Sequence, residues 1–260
     1  MTLTDAIRSW DALLAEVDAA AMAILTRAEA DCARLLDLKN LDPLPMSNAW
    51  TAVNTQLLGL TTKVEQTWRE KIQPVLEEAE QYDDRDRERQ KGDALIRRLE
   101  TNRERLEVGL FGVAAQRLYA QLRADLVRDV RCTQCFAALP VGDRLFRARQ
   151  VACPQCQAVN AFAPDAKVTA LEYFCCHHLA RLETRALYEA WLAAEGKMRR
   201  SADDLAAMKA AERALEAYAR AYLAAKIAIV PEYEATFDTD LKGKMAFFYE
   251  ELGRSTAWRP

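Results

Sequence analysis

The chain has 260 residues, of which 51% are hydrophobic and 29% charged, and its net charge is −3. This composition excludes a disordered chain, and the slight excess of acidic residues argues against a whole surface that binds nucleic acid or anionic membranes. Ala and Leu dominate, whereas only eight residues are Gly and eight are Pro. The balance favours long helices over a β-sandwich or a Gly-rich α/β enzyme.

The first two predicted elements are amphipathic helices joined by a short loop. Residues 4–38 carry apolar side chains at spacings of three and four, which places one apolar stripe along a helix. Residues 42–45 contain two prolines that end this helix, and a second stripe follows over residues 50–75. A short connection between two such helices predicts an antiparallel hairpin, with Pro74 either kinking its second helix or marking a break in it.

A third helix is predicted to continue as far as residue 130. Residues 83–107 hold eight basic and eight acidic residues, a mixture typical of a solvated helix face. An apolar stripe begins again at Leu95 and continues to Leu126. Residues 1–130 are therefore predicted to form the first part of a helical bundle or antiparallel coiled coil.

The pattern changes in residues 131–163, which contain two Cys-x-x-Cys pairs separated by 17 residues. Each pair sets two thiolates on one tight turn, and two pairs complete a tetrahedral site of four sulfurs. Such a closed site is typical of structural zinc, and iron is the alternative metal. Gly142 and Asp143 predict the turn of a β-hairpin between residues 137–139 and 145–146.

These residues resemble the zinc-ribbon superfamily. The second pair lies in the sequence VACPQC at residues 151–156, which looks like the zinc knuckle of many bacterial ribbons. Gln157 stands where those ribbons commonly have Gly. The resemblance covers residues 131–163 and implies a metal-stabilised β-hairpin. It implies one structural Zn²⁺ per chain, with four ligands: Cys132, Cys135, Cys153 and Cys156.

Helical patterns resume in residues 164–260, which are predicted to pack on the first helical part. Stripes of apolar residues predict helices around residues 171–186, 205–222 and 240–252, with breaks at Gly196 and Pro231. The predicted fold is therefore mainly α, a bundle of long helices with a small central zinc ribbon at the tip of a helical hairpin.

A second group of metal-binding residue types comprises Cys175, Cys176, His177 and His178, which include both histidines of the chain. Cys175 and His178 are three residues apart and share a helix face, so they could offer two ligands. Both also lie on the apolar stripe, which favours a buried Cys and a core His, since a metal usually needs four ligands.

The predicted function is that of a non-enzymatic scaffold or adaptor that presents the ribbon to a protein partner. The chain lacks G-x-G-x-x-G, Walker, H-E-x-x-H and G-x-S-x-G motifs. One alternative is a nucleic-acid-associated protein, because aromatic and basic side chains alternate in the ribbon. These are Arg131, Phe136, Arg144, Phe146, Arg147, Arg149 and Phe162. The other alternative is a metal-dependent enzyme with a second site around Cys175 and His178.

The expected compartment is the cytoplasm. Seven cysteines, an odd number with four in paired motifs, suit a reducing compartment better than a disulfide framework. The first residues lack a basic region before an apolar stretch, so no signal peptide is expected. No run of about 18 apolar residues predicts a membrane span. The helices could also pair between two chains, which makes a homodimer compatible with the sequence.

Overall fold

The computed structural model describes residues 2–38, 40–141, 145–200 and 204–253, with the backbone alone at 126–129, 200, 247 and 251–253. Long helices pack together, and the described residues contain one small antiparallel two-stranded hairpin. The predicted mainly α fold is confirmed. No helix in these residues has both the length and the apolar character that crossing a membrane requires.

The chain divides into two compact units, Met1–Leu110 and Phe111–Pro260. Helix α4 (Tyr82–Asp129) begins in the first unit and ends in the second, which also contains the four ribbon cysteines. The separation of residues 131–163 as a domain of its own stays a prediction.

The first unit begins with two antiparallel helices, as the stripes predict. Helix α1 (Leu3–Cys32) is followed by a 3₁₀ turn (Ala33–Leu35), and helix α2 (Leu44–Thr67) runs back along it. The antiparallel order brings Glu16 and Lys63 to 2.9 Å and the rings of Trp10 and Trp68 to 5.4 Å.

A π-helix (Trp68–Ile72) separates α2 from the short helix α3 (Gln73–Glu78). Pro74 would press against the carbonyl of Glu70 in a regular α-helix, and the wider π turn relieves that contact. The wider turn also shifts the buried stripe by one position. Leu76 is therefore fully buried, whereas Val75, which the apolar spacing predicts on the stripe, is only half-buried.

The second unit continues α4 through the ribbon into helices α5 (Ala166–Glu183), α6 (Arg185–Arg200), α7 (Leu205–Ile229) and α8 (Phe237–Gly253). A 3₁₀ helix (Pro231–Thr236) links α7 to α8, so the helix ends before Pro231 as predicted. The side chain of Asp165 accepts a hydrogen bond from the N–H of Val168, and Asp204 caps α7 in the same way.

The predicted break at Gly196 is wrong, because this glycine lies inside α6. The interruption falls at Thr184 between α5 and α6. The hydroxyl of Thr184 donates to the carbonyl of Ala180 at 2.7 Å, a local bond of the kind that bends helices.

The helices before and after the ribbon pack against each other, as a helical hairpin requires. The ring of Phe111 on α4 lies 4.7 Å from that of His178 and 5.9 Å from that of Phe174, both on α5. One residue further along α4, Gly112 faces the side chain of Leu182.

Candidate metal centre

The first Cys-x-x-Cys pair is held in a tight backbone turn by two hydrogen bonds. The N–H of Cys132 donates to the carbonyl of Ala137 at 2.8 Å, and the N–H of Phe136 donates to the carbonyl of Cys132 at 3.0 Å. These bonds close the loop on both sides of the pair, so the positions of both thiols follow from the local backbone.

The second pair repeats this turn. The N–H of Cys153 donates to Ala158 at 2.9 Å, and the N–H of Gln157 donates to Cys153 at 3.0 Å. The residue after each pair has a left-handed backbone, with φ of 60° at Phe136 and 61° at Gln157. The two turns are therefore matched knuckles, and both place a side chain where Gly would be free of strain.

The four thiols converge, and all four sulfurs lie within 4.8 Å of one another. Two of the separations are 3.6 Å between Cys132 and Cys156 and 3.5 Å between Cys135 and Cys153. A tetrahedral zinc site with bonds of about 2.3 Å sets its sulfurs about 3.8 Å apart. Since all the cysteines are free, this group has the chemistry and the spacing to hold a metal ion.

The surrounding backbone favours thiolates at the first cysteine of each pair. The N–H of Cys135, followed by that of Gln134, lowers the pKa of Cys132 to about 6. The pKa of Cys153 is also lowered, and the largest contribution comes from the N–H of Cys156. At Cys156 the N–H of Ala158 lowers the pKa of the thiol. The neighbouring thiols outweigh that effect and raise this pKa to about 12. Four negative sulfurs repel one another without a cation, so a dication suits the site.

Asn160, which motif spacing did not reveal, joins the hairpin to the first knuckle. Its Oδ1 accepts from the N–H of Thr133 at 2.9 Å and from the Thr133 hydroxyl at 3.0 Å. Its Nδ2 lies 3.6 Å from the sulfur of Cys132. Asn160 is buried on an inward position of its strand. A polar residue between the apolar residues of that strand was the one signal the sequence offered.

The hairpin does not lie where the sequence predicts it. Strands β1 (Arg149–Ala152) and β2 (Val159–Phe162) pair in antiparallel register, with the second knuckle as their connection. Residues 137–139 and 145–146 form no strand, apart from a single bridge between Ala138 and Arg131. Three side chains of these segments are buried instead: Leu139, Leu145 and Phe146. The predicted turn at 142–143 lies outside the described residues.

Arg147 anchors the ribbon segment to the helices. Its Nη2 lies 2.6 Å from Oε1 of the buried Glu172 on α5, and the Tyr233 hydroxyl donates to the same oxygen at 2.6 Å. Beside this contact, the ring of Phe146 lies 6.0 Å from that of Tyr119 on α4. The segment before β1 is thus held against the helices of its own unit.

Contacts within the chain occupy part of the surface considered for nucleic acid. Besides Arg147, the guanidinium of Arg149 donates to the carbonyl of Val141. The rings of Phe146 and Phe162 are buried. Arg131 and Phe136 remain exposed, and Arg144 lies outside the described residues.

The second cysteine and histidine group does not gather as a metal site. Among the described residues, the ribbon cysteines are the only group of three or more ligand atoms close enough to share a metal. Burial raises the pKa values of Cys175 and Cys176 to about 12. His177 Nδ1 lies 2.7 Å from the Tyr222 hydroxyl, and burial lowers the pKa of His178 to about 3. The arrangement is that of buried thiols and a neutral core His178.

No family model matches the chain, and neither a curated protein nor a solved structure matches it. The likeness to zinc ribbons therefore rests on the spacing and the geometry of residues 131–163.

Proposed function

We propose that the chain is a non-enzymatic, zinc-binding helical scaffold whose ribbon contacts a protein partner. The convergence of four cysteine sulfurs within 4.8 Å carries this proposal. Four thiolate ligands leave no coordination position for water or substrate, so the metal's contribution is to stabilise the fold. Cys132, Cys135, Cys153 and Cys156 would hold the Zn²⁺.

The metal is tested by elemental analysis of the purified chain. We expect one zinc per chain, and Cys153→Ser should reduce the content to well under one. Cys32→Ser is the matched control, because Cys32 is also buried but belongs to helix α1. Iron in place of zinc, recognised by its visible absorption, would contradict the choice of metal. A metal content that does not depend on Cys153 would contradict the site.

Two exposed apolar side chains of the ribbon support a protein partner. Phe136 is 74% exposed and Val159 is 68% exposed. Exposed aromatic anchors on a rigid support are typical of protein interfaces. The Arg147–Glu172 contact provides that support by tying the ribbon to α5.

Affinity capture from the source cells, with identification of the bound proteins, tests the partner. Phe136→Gln, which copies the polar residue of the second knuckle, should lose a partner that the unaltered chain retains. Leu58→Gln is the control, because Leu58 is 66% exposed on α2, outside the ribbon. A partner that both variants retain, or that both lose, would contradict a contact through Phe136.

The nucleic-acid alternative has less support than the protein partner. Affinity for nucleic acid comes mainly from cations that neutralise phosphates. Within the described part of the ribbon, Arg147 and Arg149 already bond to groups of the chain itself. Binding of single-stranded DNA or RNA at low ionic strength, lost in Arg131→Ala, would favour this alternative.

A further inference from the structure

Two lysines of the second unit lie against the same tyrosine ring. Lys244 on α8 places its Nζ 4.4 Å from the centroid of the Tyr222 ring on α7. Lys226, one turn after Tyr222, places its Nζ 6.0 Å from that centroid and 4.2 Å from the centroid of Tyr233. A hydrogen bond between the Tyr222 hydroxyl and His177 Nδ1, 2.7 Å long, holds the shared ring in place.

Neither lysine has a carboxylate partner within 4.0 Å in the described part of the chain. The buried Glu172 is engaged by Arg147 and Tyr233 instead. Asp240, one turn before Lys244, accepts a hydrogen bond from Thr236. Both lysines are half-buried, and neither forms an ion pair with a carboxylate of the described residues.

The neighbouring phenols and the Cys176 thiol do not supply a negative charge at neutral pH. Burial raises the pKa of Tyr222 above its ordinary value and that of Tyr233 to about 12, so both phenols stay neutral. Burial likewise raises the pKa of the Cys176 thiol to about 12. Burial, and then the charge of Lys226, lowers the pKa of Lys244, while the charge of Asp240 opposes this shift.

We propose that Lys226 and Lys244 form an anion-binding site that takes a phosphate group. An ammonium offers three N–H donors, and neither lysine donates to a protein acceptor among the described residues. A phosphate has several oxygen acceptors and a charge that can face two ammonium groups at once. The aromatic rings of Tyr222 and Tyr233 direct both cations to one side-chain cluster. This site is independent of the metal centre and goes beyond the scaffold function.

Titration of the zinc-loaded chain with inorganic phosphate, at constant pH and ionic strength, tests the site. We expect saturable binding of one phosphate per chain and a raised unfolding temperature relative to chloride. Lys226→Met and Lys244→Met keep most of the apolar stem and should each weaken phosphate binding on the order of tenfold. Lys209→Met and Lys242→Met, on exposed positions of α7 and α8, should bind as the unaltered chain does.

Three outcomes would overturn the proposal: no saturable binding, unchanged binding in the Lys226 and Lys244 variants, or equal weakening in all four. The last would show general charge attraction. Far-UV circular dichroism checks folding, and Lys→Gln replaces Lys→Met where a variant does not fold. Adenosine monophosphate is titrated in parallel. Equal affinity assigns recognition to the phosphate alone, and tighter binding that still depends on both lysines adds a contact to the nucleoside.

Discussion

Gln157 has a left-handed backbone conformation that residues with a Cβ atom rarely adopt. It follows the second cysteine pair with φ of 61° and donates its N–H to Cys153 at 3.0 Å. The left-handed region costs a residue with a Cβ atom roughly 1–2 kcal/mol, and Gly avoids that cost. The knuckle therefore needs the backbone conformation and not the glutamine side chain, which is exposed.

Gln157→Gly should accordingly strengthen zinc binding. Relief of the strain, less the extra freedom of Gly in the unfolded chain, should contribute up to about 1 kcal/mol, or about a fivefold gain in affinity. Competition with a chromophoric chelator measures it. Gln155→Gly is the matched control, because Gln155 is exposed in the same knuckle without a positive φ. There we expect only a loss of zinc affinity, caused by the greater backbone freedom of Gly in the unfolded chain. Equal effects of the two substitutions would rule out strain at Gln157.

His178 should make stability depend on pH in a defined direction. Burial lowers its folded pKa to about 3, well below the unfolded value of about 6.5. The unfolded chain therefore binds a proton that the folded chain does not, and stability falls as the pH drops below about 6.5.

His178→Phe removes this proton and keeps a ring against Phe111 and Phe174. Between about pH 7 and pH 5.5, the unaltered chain should lose about 1 kcal/mol more unfolding free energy than the variant. Urea denaturation at both pH values measures this difference in unfolding free energy. The pH dependence of the metal centre is the same in the two proteins and therefore cancels. Parallel losses in the two proteins would show that His178 is protonated equally in the folded and unfolded states.

At the scale of elements, close packing between α4 and α5 depends on one glycine. A Cβ at Gly112 would lie 2.9 Å from Cβ of Leu182 and 2.8 Å from its Cδ2. The first of these atoms is attached to the backbone of α5, so the side chain cannot rotate away from the contact. At Gly109, one turn earlier, such a Cβ would meet no atom of the described residues within 4 Å beyond the chain neighbours and backbone of its own helix.

The two glycines should therefore respond in opposite directions to alanine. Gly112→Ala forces the two helices apart and should lower the free energy of unfolding by about 1–3 kcal/mol. Gly109→Ala adds only helix propensity and should raise it by about 0.5–1 kcal/mol. Thermal and urea denaturation of both variants provide the comparison. A stabilised Gly112→Ala chain would show that α4 and α5 do not approach as closely as described.

For the whole molecule, the metal centre and the helical cores are separate sources of stability. Among the described residues, the apolar cluster around the metal centre contains six buried residues, two of them ligands: Cys132, Leu139, Val141, Val151, Cys153 and Phe162. So small an interior rarely folds without a metal. One apolar cluster of helices α5–α8, from Ala180 to Phe248, includes none of the four ribbon cysteines among its described residues. The apolar stripes of α1 and α2 are largely buried within one chain. A homodimer stays a prediction, which light scattering tests.

Removal of the metal should thus unfold the ribbon and leave most of the helices intact. After treatment with a chelator, amide hydrogen exchange should rise in residues 131–163, while the helical circular-dichroism signal changes little. Restored protection on addition of zinc is the control, and Cys153→Ser should show high exchange with or without the metal. A cooperative loss of the helical signal would mean that the ribbon supports the helices.

Features that depend on near neighbours in the chain could be predicted from the sequence alone. The spacing of Cys132, Cys135, Cys153 and Cys156 identified the candidate ligands, because each knuckle is closed by hydrogen bonds within six residues. Apolar periodicity predicted the helices for the same reason, since a helix repeats every few residues.

The packed chain settles the contacts that the local pattern leaves open. It moved the hairpin to residues 149–162, where Asn160 of β2 bonds to Thr133 of the first knuckle. It tied Arg147 to Glu172 and Tyr233, and it brought Lys226 and Lys244 to one tyrosine ring. No periodicity records the Asn160–Thr133, Arg147–Glu172 and Lys244–Tyr222 contacts, because each one joins segments that are distant in sequence.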